Sequence, residues 1–207
     1  MPSTESVAAQ ERAELADLLA AEGPDQPTLC GDWTTRDLAA HVVLRERRPV
    51  AALGIALPPL AGHTRHVQDD IAASTPWPEL VEHVRRPSPL LLGPSDEWVN
   101  TTEMFVHLED VRRAQEGWQP RPTDARREAT MWRVLRQRGR WFFRRAGVGV
   151  RLELPDGREQ VARDGTPYVT VRGPATEILL FAHGRAAHAR VELLGDPAAI
   201  SALRGGH

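Results

Sequence analysis

The chain has 207 residues, a formal charge of −2 and 41% hydrophobic residues. That is enough for one large domain or two small ones with a real core, and there is no charge excess to mark a nucleic-acid, membrane-surface or acidic partner. All 26 basic residues are arginine, a bias of GC-rich coding rather than of mechanism, and the single cysteine, Cys30, excludes an intramolecular disulfide.

The opening MPSTESVAAQERAEL is polar and acidic, with neither the basic nor the apolar region of a secretory signal. No stretch approaches the ~20 apolar residues of a membrane helix. The expectation is a cytoplasmic protein with no membrane or nucleic-acid partner.

Residues 6–21 carry Val7, Ala8, Leu15, Leu18 and Leu19 close to helical period, and Gly23-Pro24 stops them. After a loop over 26–32, Thr34 and Asp37 resemble a capping box with Asp in the place of Glu. The helix they open carries Leu38, Val42 and Arg45, with His41 among Ala39, Ala40, Val42 and Val43. A histidine on an apolar face is more often a satisfied core residue than a ligand. Leu57-Pro58-Pro59 breaks the chain. Residues 65–86 form a third helix, interrupted at Thr75-Pro76-Trp77-Pro78 because proline removes a donor and clashes inside a helix. His63 and His66 lie near its start. Residues 87–95 form a proline-rich loop.

The central stretch is Asn100 to Arg113, NTTEMFVHLEDVRR. Glu103 and His107 are four residues apart and so share a helical face, and Asp110 continues their stripe beside the apolar stripe of Met104, Leu108 and Val111. Polar groups at the edge of a core need compensation. One reading is local: Asn100 caps the helix, Glu103 reaches back to it, and His107 bonds a carboxylate. The other is a metal, for which this helix offers two ligands and another element must offer a third. His41 would complete a set of two imidazoles and a carboxylate, a suitable zinc set that leaves one position open.

The helix is expected to end near Gly117. Trp118 to Pro122 is a rigid loop, and residues 124–145 are helical again, anchored by Trp132, Leu135, Phe142 and Phe143, with their arginines on a solvated face. From Gly147 the period changes. Val148, Val150, Leu152 and Leu154 alternate as in a strand, Pro155-Asp156-Gly157 turns, and further strands are expected over 158–163, 168–171 and 187–193. Short helices are expected from Pro174 and from Asp196-Pro197. This predicts a mainly α chain with helices over 1–146 and a small α+β module over 147–207.

Trp33 to His41 (WTTRDLAAH), Glu103-x-x-x-His107 with Asp110, and the C-terminal run Tyr168 to Pro174 with Gly184-Arg185 and Glu192 to Asp196 together resemble the mycothiol-dependent maleylpyruvate isomerase family. The resemblance covers nearly the whole chain. It implies a DinB-like metal-binding four-helix bundle followed by a small sterol-carrier-like module. It further implies a divalent metal, expected to be Zn²⁺, on His41, Glu103 and His107, and mycothiol as thiol cosubstrate. The metal would activate the thiol for transfer, addition or cis–trans isomerisation on a small electrophile. Arg185 matches an arginine that faces the active site in the family and would hold a carboxylate, with a surface arginine as the alternative. Asp110 would orient a ligand histidine or pair with Arg113, and metal-assisted hydrolysis through it is a minor alternative. Cys30 is read as a small buried residue beside Trp33. Residues 57–65 and 87–95 match nothing of a maleylpyruvate site. A non-catalytic metal- or ligand-binding module is therefore the competing function.

Overall fold

The computed structural model describes residues 6–87 and 94–205. The chain divides into two compact units, Met1–Pro120 and Arg121–His207. It is mainly α, with a small α+β portion at its C-terminal end.

The first unit contains α1 (Val7–Glu22), α2 (Thr35–Arg47), α3 (Pro49–Ala56), a 3-10 turn at Pro58–Leu60, α4 (Ala61–Ser74), α5 (Trp77–Arg85) and α6 (Pro94–Ala114). The Ser6 side chain caps α1, accepting from the Ala9 amide, and Gly23 at φ +83° ends it. The capping box of α2 forms in both directions: Thr34 N–H donates to Asp37 Oδ2 at 2.9 Å, and Asp37 N–H donates to Thr34 Oγ1 at 3.4 Å. Aspartate thus does the work glutamate usually does in this motif.

Three local readings change. Residues 49–56, left unassigned from sequence, form α3. Its PVAALGIA sequence is apolar throughout and has no periodicity to read, and Pro49 sits at its first turn, where a missing N–H is harmless. The interrupted third helix is two helices, α4 beginning at Ala61 and α5 opening after Pro76. Helix α6 begins at Pro94, so Asn100 lies inside it and is not its cap. Asn100 Oδ1 instead accepts from Nη1 and Nη2 of Arg45 at 2.9 and 2.8 Å. Of the expected loop over 87–95, residues 88–93 lie outside the described residues.

The core of this unit gathers Leu15 and Leu19 of α1, Leu38, Val42 and Val43 of α2, Leu80, Val81 and Val84 of α5, and Met104, Leu108 and Val111 of α6. Full burial of each such side chain contributes on the order of 1.5–3 kcal/mol. Among them runs a buried ion pair. Arg12 of α1 engages both carboxylate oxygens of Glu46 on α2 and donates to the Val84 carbonyl of α5 at 2.8 Å, tying three helices at one point.

Gly54 sets how α3 meets α4. A Cβ there would lie 2.1 Å from Thr64 Oγ1 and 2.4 Å from the Leu60 carbonyl oxygen, so only glycine allows the approach.

The second unit contains α7 (Ala125–Phe142), β1 (Gly149–Glu153), β2 (Glu159–Arg163), β3 (Tyr168–Arg172), α8 (Ala175–Ala182), β4 (Glu192–Leu194) and α9 (Pro197–Gly205). The sheet order is β2-β1-β3-β4, with β1 and β3 parallel and the outer pairs antiparallel. The alternation read from Val148 onward is β1, with Val150 and Leu152 fully buried. The last strand is only three residues long, not seven.

Helix α7 packs on α8 and β2 and belongs to this unit, so the compact units part at Pro120 rather than at Gly147. Gly139 of α7 faces Ala162 and Leu152 of the sheet, with room for ordinary van der Waals contact. Glu128 of α7 caps α8, accepting from the Ala175 amide and the Thr176 hydroxyl at 2.6 Å each. Among the described residues no helix is long and apolar enough to cross a membrane.

Candidate metal centre

Helices α2 and α6 bring three side chains of the first unit together. One ligand atom each from His41, Glu103 and His107 lies within 4.8 Å of the others. The spacing of four on α6 sets His107 Nε2 3.4 Å from Glu103 Oε2. The His41 and His107 rings meet edge-on with centroids 5.3 Å apart. Both histidines are buried and Glu103 is half-buried.

Each histidine is held from behind. Nδ1 of His107 donates to Asp110 Oδ2 at 3.1 Å, which turns Nε2 toward Glu103. Asp110 is fully buried and also accepts from Cys30 Sγ at 3.1 Å. On α2, Nδ1 of His41 lies 3.3 Å from Gln68 Oε1 of α4, and an Nδ1–H donated there leaves the lone pair on Nε2. The Trp33 indole covers His41 at 5.0 Å between ring centroids. Glu103 has a cation beside it: Arg45 Nε lies 3.5 Å from Oε2 while the same guanidinium is anchored on Asn100.

The electrostatics suit a cation at the centre. Burial, followed by the charge of His107, pushes the His41 imidazole down from 6.5 to about 4, so it is a neutral donor at pH 7. Burial opposes ionisation of Glu103, yet the hydrogen bond and charge of His107, together with Arg45 and His41, hold it down at about 2. Burial also opposes a charge on His107, but hydrogen bonds to Asp110, Cys30 and Glu103 raise it well above 6.5. In the ion-free cluster a proton on His107 thus supplies positive charge between two carboxylates. A divalent ion would replace that proton, and two imidazoles plus a carboxylate are donors it accepts. The residues fit the group.

A cavity of about 590 Å³ opens beside His41 and Gln68, walled by Trp33, Gly54, Thr64 and Arg65.

Of the remaining sequence candidates, Asp110 stands directly behind His107. Arg185 belongs to the second unit, in the turn after α8, where it donates to the His183 carbonyl at 2.6 Å. His63 and His66 are exposed on α4, and His66 lies 3.5 Å from Asp70. Cys30 packs against the core as expected, and also reaches the Asp110 carboxylate. Sequence reasoning missed Gln68 as the support of His41, and Arg45 as the support of Glu103. Arg45 carried a signal, since it lies one turn beyond His41 on the same helix. Gln68 carried none.

The fold and this cluster define a mainly α chain with a His-Glu-His centre between two helices. No family model matches the chain, and no curated protein matches it. Among solved structures it is similar to a crystal structure of the mycothiol-dependent maleylpyruvate isomerase, with a TM-score of 0.60 and 18% identity over 92% of this chain and 91% of that one. It is also similar to a histidine-to-alanine mutant of that isomerase, with a TM-score of 0.58 and 17% identity over the same shares. At these identities what is shared is the fold.

Proposed function

We propose that the chain is a divalent-metal enzyme that uses a low-molecular-weight thiol, in the manner the name of its structural neighbours describes, to act on a small electrophile. The observation that carries this reading is the convergence of His41, Glu103 and His107, each fixed by its own partner, beside a cavity large enough for a small ligand. Zn²⁺ is the ion that best suits two imidazoles and a carboxylate, and mycothiol is the proposed thiol. When bound, such an ion lowers the pKa of a coordinated thiol so that the nucleophilic thiolate is present at neutral pH.

The chain's own residues do the positioning. Gln68 leaves the Nε2 lone pair of His41 available, and Asp110 orients His107 so that its Nε2 becomes a donor once a metal displaces the proton there. Arg45, itself held by Asn100, keeps Glu103 ionised. Trp33 shields one face of His41 from water. Three protein donors leave room for an exogenous ligand, the arrangement of catalytic rather than structural sites. A single carboxylate leaves a divalent centre with one positive charge, which favours an anionic thiolate as that ligand. Arg185 of the second unit is proposed to bind an anionic carboxylate. A thiol cosubstrate and a single cysteine suit the reducing cytoplasm.

The test is a calorimetric titration of the Zn²⁺-loaded protein with mycothiol while proton release is followed, after any metal-bound water has been titrated separately. About one proton per site is expected, because a ligating thiol binds as thiolate. If mycothiol does not bind, and His41→Ala leaves every thiol interaction as it was, the enzyme reading falls and a non-catalytic binding module replaces it.

A further inference from the structure

We propose that Cys30, Asp110 and the Nδ1 edge of His107 form a second metal position, selective for a soft divalent ion such as Cd²⁺. This position and the His41–Glu103–His107 position exclude one another because they share one imidazole. The existence of the second position is independent of the thiol chemistry above; only the exclusivity rests on the first position.

The geometry comes first. Cys30 Sγ and His107 Nδ1 each lie 3.1 Å from the same Asp110 oxygen, and the three donor atoms lie within 4.8 Å of one another. Around a tetrahedral ion with bonds of about 2.0–2.3 Å, neighbouring donors sit roughly 3.3–3.7 Å apart. The two donor pairs that include Asp110 therefore need to open by only a few tenths of an ångström, and the third pair already lies within 4.8 Å. A thiolate in the set gives the selectivity, since soft sulfur favours Cd²⁺ and related ions over harder ones.

The loop carrying Cys30 is built to keep it there. The Leu29 amide donates to the Asp110 carbonyl at 3.0 Å, joining loop to helix α6. The Thr28 hydroxyl accepts from the Cys30 amide at 3.1 Å and donates to the Trp33 carbonyl at 2.8 Å. Pro27 bridges to Thr34, and Gln115 of α6 donates to the Pro27 carbonyl at 3.1 Å. Cys30 itself is half-buried.

Charge separates the two positions. A thiolate, a carboxylate and a neutral imidazole carry two negative charges and neutralise a divalent ion without help. The first position carries one carboxylate and calls for an external anion. The proton balance also follows. Cys30 gives its thiol proton and His107 its Nδ1 proton to solvent, and the one proton His107 keeps is on Nε2. The Nε2–H then faces Glu103 Oε2 at 3.4 Å. In that tautomer the first position has lost a donor, which is why only one of the two fills at a time.

The experiment uses the metal-free full chain titrated with Cd²⁺. Cys30 is the only cysteine, so any thiolate-to-metal charge-transfer absorption reports on it alone. One Cd²⁺ per chain with that absorption is expected. His41→Ala should keep it, and Cys30→Ser should abolish it and weaken Cd²⁺ binding ~10-fold or more, as losing a ligand or its support does. Zn²⁺ added before Cd²⁺ should delay the absorption in the wild type but not in His41→Ala. The proposal is overturned if Cd²⁺ binds the wild type without thiolate absorption, or if the absorption saturates at one ion per two chains, which would mean a bridge between molecules. If the absorption forms as expected but Zn²⁺ causes no delay, the second position stands and the exclusivity falls. Loss of Zn²⁺ binding at the first position would undo the enzyme reading and leave the Cd²⁺ result intact.

Discussion

Replacing Asp110 by Asn tests the support of His107 with little change of shape. Asp110 is fully buried and accepts two hydrogen bonds, one from Nδ1 of His107 and one from Cys30, both at 3.1 Å. Hydrogen bonds to a buried charge contribute on the order of 1.5–3 kcal/mol each. Removing the partner of a metal-ligating histidine typically weakens metal binding by about 10–100-fold, or about 1.4–2.7 kcal/mol. The pH dependence gives a second, sharper readout. In the ion-free wild type, burial lowers the His107 pKa, but Asp110, Cys30 and Glu103 raise it well above 6.5, so Zn²⁺ must displace a firmly held proton. Wild-type affinity should therefore fall with acidification from well above that value. In Asp110→Asn the proton is held less firmly, so affinity is lower on the alkaline side, but its decline begins at lower pH. The assay is competition with a chelator of known affinity across pH, with circular dichroism to establish folding. Unchanged affinity at alkaline pH together with an unchanged pH slope would refute the role given to Asp110.

Three further outcomes follow from the same structure. His41, pushed from 6.5 to about 4 chiefly by burial, binds its proton more weakly folded than unfolded. The ion-free protein should therefore lose about 3 kcal/mol of stability as pH falls from about 6.5 to about 4. Urea midpoints should decline less steeply for His41→Ala over that window, and equal slopes would refute the assignment. Gly54→Ala forces a Cβ against the Leu60 carbonyl and Thr64 hydroxyl, and backbone cannot yield as a side chain does. A loss of about 2–3 kcal/mol is expected, and an unchanged thermal midpoint would contradict the packing described. Arg185→Ala should weaken an anionic ligand while metal content stays at the wild-type level; equal binding returns Arg185 to a purely local role on the His183 carbonyl.

Periodicity and punctuation made much of the architecture legible. The spacing of four between Glu103 and His107 needs only helical geometry to become a shared face, and the change from helical period to alternation after Gly147 marks the start of β1. The capping box at Thr34 and Asp37 needs only four residues of sequence, and it formed. Helix α3 was not legible, because a segment apolar on all sides has no stripe to detect. The place of α7 was not legible either. Its amphipathic pattern says that it buries a face, but not that the face meets α8 and β2 of the second unit.

The centre divides along the same line. Its donors lie on two helices whose patterns are local, but what makes them donors is tertiary. Asn100 shows the difference most clearly. By local rules it caps a helix and leaves Glu103 to reach back to it, an arrangement that would consume the carboxylate. With α6 starting at Pro94, Asn100 is freed to grip Arg45. Arg45 then faces Glu103, and the carboxylate points toward the two histidines rather than toward its own backbone. Gln68 plays the matching part for His41, and it reaches that place only because α4 packs on α2. A helix start a few residues earlier than its cap signals thus converts an expected capping box into half of a candidate metal centre. Asn100, Arg45, Glu103 and His107 form one chain of hydrogen bonds and ion pairs, and His41, bonded to Gln68, meets His107 ring edge to ring face. A unit of this kind predicts strong coupling: Arg45→Met with Asn100→Ala should cost metal affinity far less than the sum of the two single changes.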